Sequence, residues 1–255
     1  MLLRTVPARV LGTNTTVLAA ELGAPGRPVD CLVVDPGLGV LDRLVPLLER
    51  LHLRPVVVLV THGHLDHVAE VAGVTAIAGA PLALGAADAH RLADPLEGLG
   101  PQLRAALLAQ VGPFSWEPPA EVRELADGEE VAAGSLRVRA VAAPGHTEGS
   151  TLYVVDDVPD ADSLAAADGL PAGTPPLPGG LRRTVLTGDV LFAGSVGRTD
   201  LPGGDGAAMR ATLRDVVLAL PDDALVVPGH GPATTLARER ASNPYLLDPD
   251  LLEGP

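Results

Sequence analysis

Along the first third of the chain, apolar and polar positions alternate in short runs that end at glycine, proline, asparagine or aspartate. Residues 4–11 and 15–22 read as two strands joined around Gly12 to Asn14, and 30–35 as a third closed by Pro36-Gly37. The period then changes. Val40, Leu41, Leu44, Val45, Leu47, Leu48 and Leu51 recur at helical spacing, which predicts a helix over 40–51. Pro55 opens the β-branched run 56–60, whose unbroken apolar character predicts a strand buried on both faces. Segment 82–118 reads as short helices and loops. Strand patterns return at 136–142, 151–155 and 184–187, followed by a helix over about 207–220 and a last strand near 224–227. Strand-like and helical segments taking turns predict a mixed α/β fold, read here as a single domain over 1–255.

Segment 156–183 breaks this rhythm, with five prolines, four glycines and five aspartates between two strand-like runs. That is loop composition. We read it as a surface insertion, first as a solvated excursion and second as a flap over substrate.

Composition narrows the chemistry. The 255 residues include 32 acidic and 18 basic side chains, and all 18 basic residues are arginines. Without lysine there is no Schiff-base enzyme and no Walker A phosphate loop. The single cysteine, Cys31, rules out disulfide frameworks, CxxC pairs and iron–sulfur clusters. A net charge of −14 with five aromatic residues argues against nucleic acid and anionic membrane as partners. No apolar run, 56–60 included, exceeds five residues, far shorter than a membrane span requires. Arg4, Pro7 and Arg9 interrupt the apolar core that a secretion signal would need, so a cytoplasmic location is expected.

Seven histidines remain as reactive inventory, and their placement is uneven. Thr61-His62-Gly63-His64-Leu65-Asp66-His67 sets three imidazoles and a carboxylate into one heptapeptide directly after the buried strand. At a strand end, with Gly63 freeing the backbone, these side chains can face one point. Imidazole and carboxylate together suit zinc, iron or manganese. His146 in Pro-Gly-His-Thr, Asp189 in Thr-Gly-Asp and His230 in Pro-Gly-His-Gly each follow a strand-like run as well. Strand ends are where α/β folds assemble sites.

The H-x-H-x-D-H motif, followed in order by a single His, Asp and His, resembles the metallo-β-lactamase superfamily. The likeness extends from Asn14 and Asp35-Pro36-Gly37 to His230-Gly231-Pro232. It implies a four-layer αβ/βα sandwich with metals at one edge of two sheets. It also implies two divalent ions per chain, zinc first, with iron and manganese as alternatives. His62, His64 and His146 would hold one ion, Asp66, His67 and His230 the other, and Asp189 would bridge them.

Within the superfamily, Gly188-Asp189 and the stretch Phe192 to Gly204, together with Arg240-Ala-Ser-Asn-Pro-Tyr-Leu246, resemble the glyoxalase II-like hydrolases. The implied activity is hydrolysis of a hydroxyacyl thioester, lactoylglutathione-like, by a metal-bound hydroxide. The substrate would be a small-molecule acyl-thiol, and Asp66 is taken as a catalytic carboxylate as well as a ligand. Only 25 residues follow His230, so the helical domain that holds glutathione in the longer enzymes has no counterpart. The alternative implied by the same likeness is a persulfide dioxygenase with one iron on His62, His146 and Asp189.

Arg198 has two readings: its planar guanidinium could hold a substrate carboxylate or phosphate, or it could pair with Asp200 or Asp205 and order its own loop. Trp116 either walls the mouth of the site or packs its irregular segment. His52 and His90 fall outside the ligand pattern, and Cys31 reads as a small buried apolar group.

Overall fold

The computed structural model describes residues 1–97, 99–112, 116–119 and 121–252. Of the irregular stretch 82–118, residues 98 and 113–115 lie outside that description, as do 253–255 of the expected domain. The first half of the chain contributes β1 (Leu2–Pro7), β2 (Asn14–Ala19), β3 (Val29–Val34), α1 (Leu41–Arg50), β4 (Leu53–Val60), α2 (Leu65–Val68), α3 (Val71–Ala78), β5 (Leu82–Gly85), α4 (Pro101–Val111) and β6 (Val122–Leu125). Its six strands form one sheet in the order β1-β2-β3-β4-β5-β6, antiparallel as far as β3 and parallel thereafter.

The second half supplies β7 (Glu130–Ala133), β8 (Leu136–Ala142), β9 (Thr151–Val155), α5 (Ala161–Ala165), β10 (Arg183–Gly188), β11 (Leu191–Phe192), β12 (Ser195–Val196), α6 (Gly206–Thr212), β13 (Ala224–Pro228), β14 (Thr234–Thr235), α7 (Leu236–Ser242) and α8 (Pro244–Leu247). A second sheet runs β14-β13-β10-β9-β8-β7, and β11 with β12 make a separate hairpin.

Three apolar clusters define the layers. Leu3, Leu18, Leu32 and Leu59 meet Tyr153, Val155, Leu186 and Val227 between the two sheets. On the outer face of the first sheet, Val33, Val58 and Val60 pack against Leu44, Leu48, Val71 and Val74 of α1 and α3. On the outer face of the second, Val154, Val185 and Val226 pack against Met209, Leu213 and Leu236 of the α6 and α7 region. The result is the expected four-layer αβ/βα sandwich. Tyr153 spends its only polar atom inside this core, donating to the Val60 carbonyl at 2.8 Å.

Several boundaries differ from the sequence reading for local reasons. The strand expected over 4–11 stops at Pro7, because Leu11 and Gly12 adopt positive φ in the turn. The strand expected from 56 begins at Leu53 and runs through Pro55. The β3–β4 ladder slips there, Cys31 facing Pro55 and Leu32 facing Val57, so the proline's missing N–H falls at a bulge. Short β5, β6 and β7 lack a readable period. The helix expected over 207–220 is α6 followed by a π-helical turn, Leu213–Val217.

Segment 156–183 is a packed strap rather than a solvated excursion. Asp160 caps α5 by accepting from Ser163 N, and the Asp168 carbonyl accepts from Thr5 N at 2.7 Å. Arg4 donates to Ser163 Oγ at 2.9 Å and pairs with Asp168. Leu170, Leu177 and Leu181 seal the inter-sheet core. Composition gives no warning of this, because so few apolar residues suffice when they land on an open core edge. Among the described residues no helix is long and apolar enough to cross a membrane.

Candidate metal centre

Every sequence-selected ligand lies beyond the carboxyl end of a strand, at one edge of the sandwich. β4 delivers His62 and His64, and the first turn of α2 carries Asp66 and His67. β8 leads to His146, β10 to Asp189 and β13 to His230. The second sheet keeps β8, β10 and β13 parallel, since β9 runs antiparallel to both β8 and β10. Thr151 N donates to Thr61 O at 2.9 Å, stitching the two sheets together beside the site.

Two clusters result. His146 Nε2 lies 3.2 Å from His62 Nε2 and 2.9 Å from His64 Nδ1. His230 Nε2 lies 3.1 Å from Asp66 Oδ2, and His67 Nε2 lies 3.6 Å from the same oxygen. Asp189 stands between them. Its Oδ1 is 3.3 Å from His67 Nε2, and its Oδ2 is 3.7 Å from both His146 Nε2 and His230 Nε2. Ligand atoms within each of the sets His62/His64/His146, His62/His67/Asp189 and Asp66/His67/His230 fall within 4.8 Å of one another.

Outer hydrogen bonds decide which nitrogen faces inward. His146 Nδ1 donates to the Arg198 carbonyl at 2.8 Å, and His67 Nδ1 donates to Asp35 Oδ2 at 2.9 Å. Thr61 Oγ1 donates to Asp35 Oδ2 at 2.7 Å, so it accepts from His62 Nδ1 at 3.1 Å. The inward Nε2 atoms of His62 and His146 therefore both carry lone pairs, only 3.2 Å apart. Two lone pairs at that distance repel unless a cation lies between them. In the other cluster, His67 Nε2 and Asp189 Oδ1 are buried 3.3 Å apart, and neither makes an aligned hydrogen bond to the other or to any other described group. Buried polar atoms are rarely left so. The donor set, five imidazoles and two carboxylates, fits divalent zinc, iron or manganese in both positions.

The proton affinities follow the same division. Burial, reinforced by neighbouring imidazoles, holds His62 and His146 below the ordinary histidine range and takes His64 down to about 3. Burial pushes His67 the same way, but Asp35, Asp189 and Asp66 more than offset it and raise it well above that range. Asp66 and Asp189 are held low by His67 and His230 despite their own burial.

Three supports frame the ligands. Asp35, 2 % exposed and at positive φ, also accepts from Thr61 N at 2.7 Å. Asn14 Nδ2 donates to the carbonyls of Pro228 and Gly231, fixing the loop that bears His230. Asp88 is fully buried and accepts from Gly63 N, Thr147 Oγ1, Gly149 N and Arg91 Nε, joining the His64 loop to the His146 loop. Asp35 and Asn14 stand out in sequence beside the motif. Asp88 does not, because a lone aspartate in an irregular segment carries no period or neighbour that marks it.

Other candidate residues sort differently. Arg198 makes a two-pronged ion pair with Asp200 at 2.6 and 2.7 Å, the loop-ordering reading, while its carbonyl serves His146. Trp116 donates to the Leu92 carbonyl and packs on the outer core of the first sheet. Cys31 is buried, and burial raises its thiol to about 12, so it is inert.

Several known proteins resemble this chain over most of its length. An uncharacterized protein of Mycobacterium tuberculosis is 37% identical over 96% of this chain and 98% of its own length. The probable metallo-hydrolase YqgX of Bacillus subtilis is 31% identical over 85% and 87%. The hydroxyacylglutathione hydrolase GloC of Haemophilus influenzae is 29% identical over 84% and 86%. Among solved structures, BLEG-1 B3 metallo-beta-lactamase superposes with a TM-score of 0.71 at 28% identity, covering 96% of this chain and 99% of its own. TTHA1623 in a di-iron-bound form gives 0.64 at 29%, covering 94% and 98%. The model of the metallo-beta-lactamase superfamily matches residues 10–180, and the chain belongs to that superfamily.

Proposed function

We propose that this chain is a dinuclear metal-dependent hydrolase that cleaves small-molecule thioesters of the hydroxyacyl-thiol type. The observation that carries this reading is Asp189, whose two oxygens address two separate nitrogen clusters. Similarity to GloC and to a protein with a di-iron form supports the pairing of such a site with hydroxyacyl-thiols. When bound, the two cations supply Lewis acidity and bring a water to hydroxide near neutral pH.

The chain's own residues do the remainder. Asp35 and the Arg198 carbonyl hold Nδ1–H of His67 and His146, which aims the Nε2 atoms inward; that of His146 carries a lone pair, and that of His67 would give up its proton to a cation. His62 and His67, on the buried floor, keep bulk water from below. Asp66 Oδ2, beside His230 Nε2 and 3.4 Å from Thr13 Oγ1, is held ionised by His67 and His230 and would serve as an anionic ligand of the second cation. A thiolate departs without general-acid help, so this ligand set suffices for a thioester. The single-iron persulfide dioxygenase alternative uses His62, His146 and Asp189 and leaves Asp66, His67 and His230 without a task.

Metal analysis combined with an acyl-thiol panel tests the reading. Two zinc, iron or manganese ions per chain with turnover of lactoyl thioesters are expected, and His67→Ala should lose one ion and the activity together. A single iron with oxygen uptake on a persulfide, or preferential turnover of a β-lactam, would overturn it.

A further inference from the structure

A cavity of about 350 Å³ opens beside the first histidine cluster, with His64 in its wall, and it is large enough for the thiol half of a small thioester. Its charge is one-sided. Arg91 is the only arginine among the described lining residues, against the carboxylates of Asp94, Glu97 and Glu148. That guanidinium is already committed: Nε donates to Asp88, and Nη2 donates to the Pro202 carbonyl at 2.9 Å and to Glu148. Its side chain is only 11% exposed, so it forms wall rather than a free anchor. Asp94 has Arg104 no nearer than 3.9 Å, both side chains being about half exposed, and such a pair leaves most of the negative field in place. Glu97 forms no ion pair among the described residues.

From this we infer that the cavity binds the thiol half of the substrate and that this half is a cationic or uncharged thiol rather than a polycarboxylate such as glutathione. The inference rests on the thioesterase reading above. An anionic carrier entering here would meet Asp94 and Glu97 with no unengaged guanidinium to receive its carboxylates. A cationic carrier would gain from the same field. A unit charge several ångströms from a carboxylate at a wet surface changes binding by about fivefold to tenfold.

Three lactoyl thioesters of similar size isolate the charge: those of thiocholine, of its uncharged isostere 3,3-dimethylbutanethiol and of 3-mercaptopropanoate. With the metal-loaded protein, kcat/KM is expected to fall in that order, by about tenfold or more from the first to the last. The ratio should shrink at high salt and in the double variant Asp94→Asn/Glu97→Gln. Turnover with a flat or reversed order, or a ratio that survives in the double variant, overturns the inference and leaves the thioesterase reading intact. No turnover of these three esters or of S-lactoylglutathione removes that reading, and the inference with it.

Discussion

His67 Nδ1 and Asp35 Oδ2 lie 2.9 Å apart with both side chains sealed from solvent, and that contact sets which nitrogen of His67 faces the candidate metal centre. The carboxylate also binds Thr61 N and Thr61 Oγ1, so it cannot turn away. Asp35→Asn replaces one acceptor oxygen by an NH2 group. At Oδ2 that group faces the Thr61 hydroxyl and His67 Nδ1 together and favours the wrong tautomer, and at Oδ1 it meets the Thr61 N–H donor to donor. Metal affinity of the cluster containing Asp66, His67 and His230 should drop about 10- to 100-fold. Chelator competition measures this, and an unchanged second-site affinity would show that Asp35 is not the orienting group.

Gly229 has no room for a side chain. A Cβ there would stand 2.4 Å from Asp189 Oδ1 and 2.7 Å from His67 Cε1. Gly229→Ala should therefore displace the Asp189 carboxylate, costing about 1–3 kcal/mol of stability and most of the metal content. Gly231→Ala provides the contrast. Nothing lies within 4 Å of its would-be Cβ, but φ is +74°, so it should cost about 1–2 kcal/mol in backbone strain and keep both metals. Equal metal loss in the two variants would refute the steric account.

Asp88 receives four donors on two oxygens while fully buried. Asp88→Asn puts an amide nitrogen, which accepts nothing, in place of one of those oxygens, so at least one donor is stranded, at about 1–3 kcal/mol. Thermal unfolding should fall by several degrees, and the His62/His64/His146 cluster should loosen its metal before the other cluster does. Loss of both sites in parallel would point to general unfolding instead.

The metal-free protein should be acid-sensitive in a definite window. His64 is depressed to about 3, chiefly by burial and then by His146, whereas in the unfolded chain it titrates near the ordinary 6.5. Between those values the unfolded chain binds the extra proton and the folded one does not, so stability falls as pH falls below 6.5. His67 and His230, raised by their carboxylate partners, act in the opposite sense: their contribution is present below 6.5 and lost as pH rises through their folded values. Urea titrations of chelator-treated protein at stepped pH test this. His64→Asn should flatten the acid limb, and an equally steep limb in that variant would rule out His64 as its source.

Metal uptake should also release protons near neutral pH, because His67 and His230 must give up protons before they can coordinate. Calorimetry in buffers of different ionisation enthalpy reads the number directly. Uptake without proton release would contradict the raised imidazoles.

Long periodic segments were legible without coordinates. The helix at Leu41–Arg50 and the strands at Leu136–Ala142 and Thr151–Val155 match their patterns closely, because one face or both must be apolar to be buried. Four-residue β5, β6 and β7 were not, since so short a run shows no period and is held by its neighbours' ladders.

What the sequence determined by itself was the reactive inventory and its grouping: seven candidate ligand positions, each beside a turn signal at a strand end, in a chain with no lysine to compete for other chemistry. Only the tertiary structure decided how those groups are oriented and what surrounds them. Asp88 reaches Gly63 and Gly149 across 25 and 61 residues, Arg198 serves His146 through its carbonyl while its guanidinium pairs with Asp200, and the strap at 156–183 closes a core edge. Hydrogen bonds between distant segments leave no periodic trace, because they depend on where strand ends meet in space rather than on spacing along the chain.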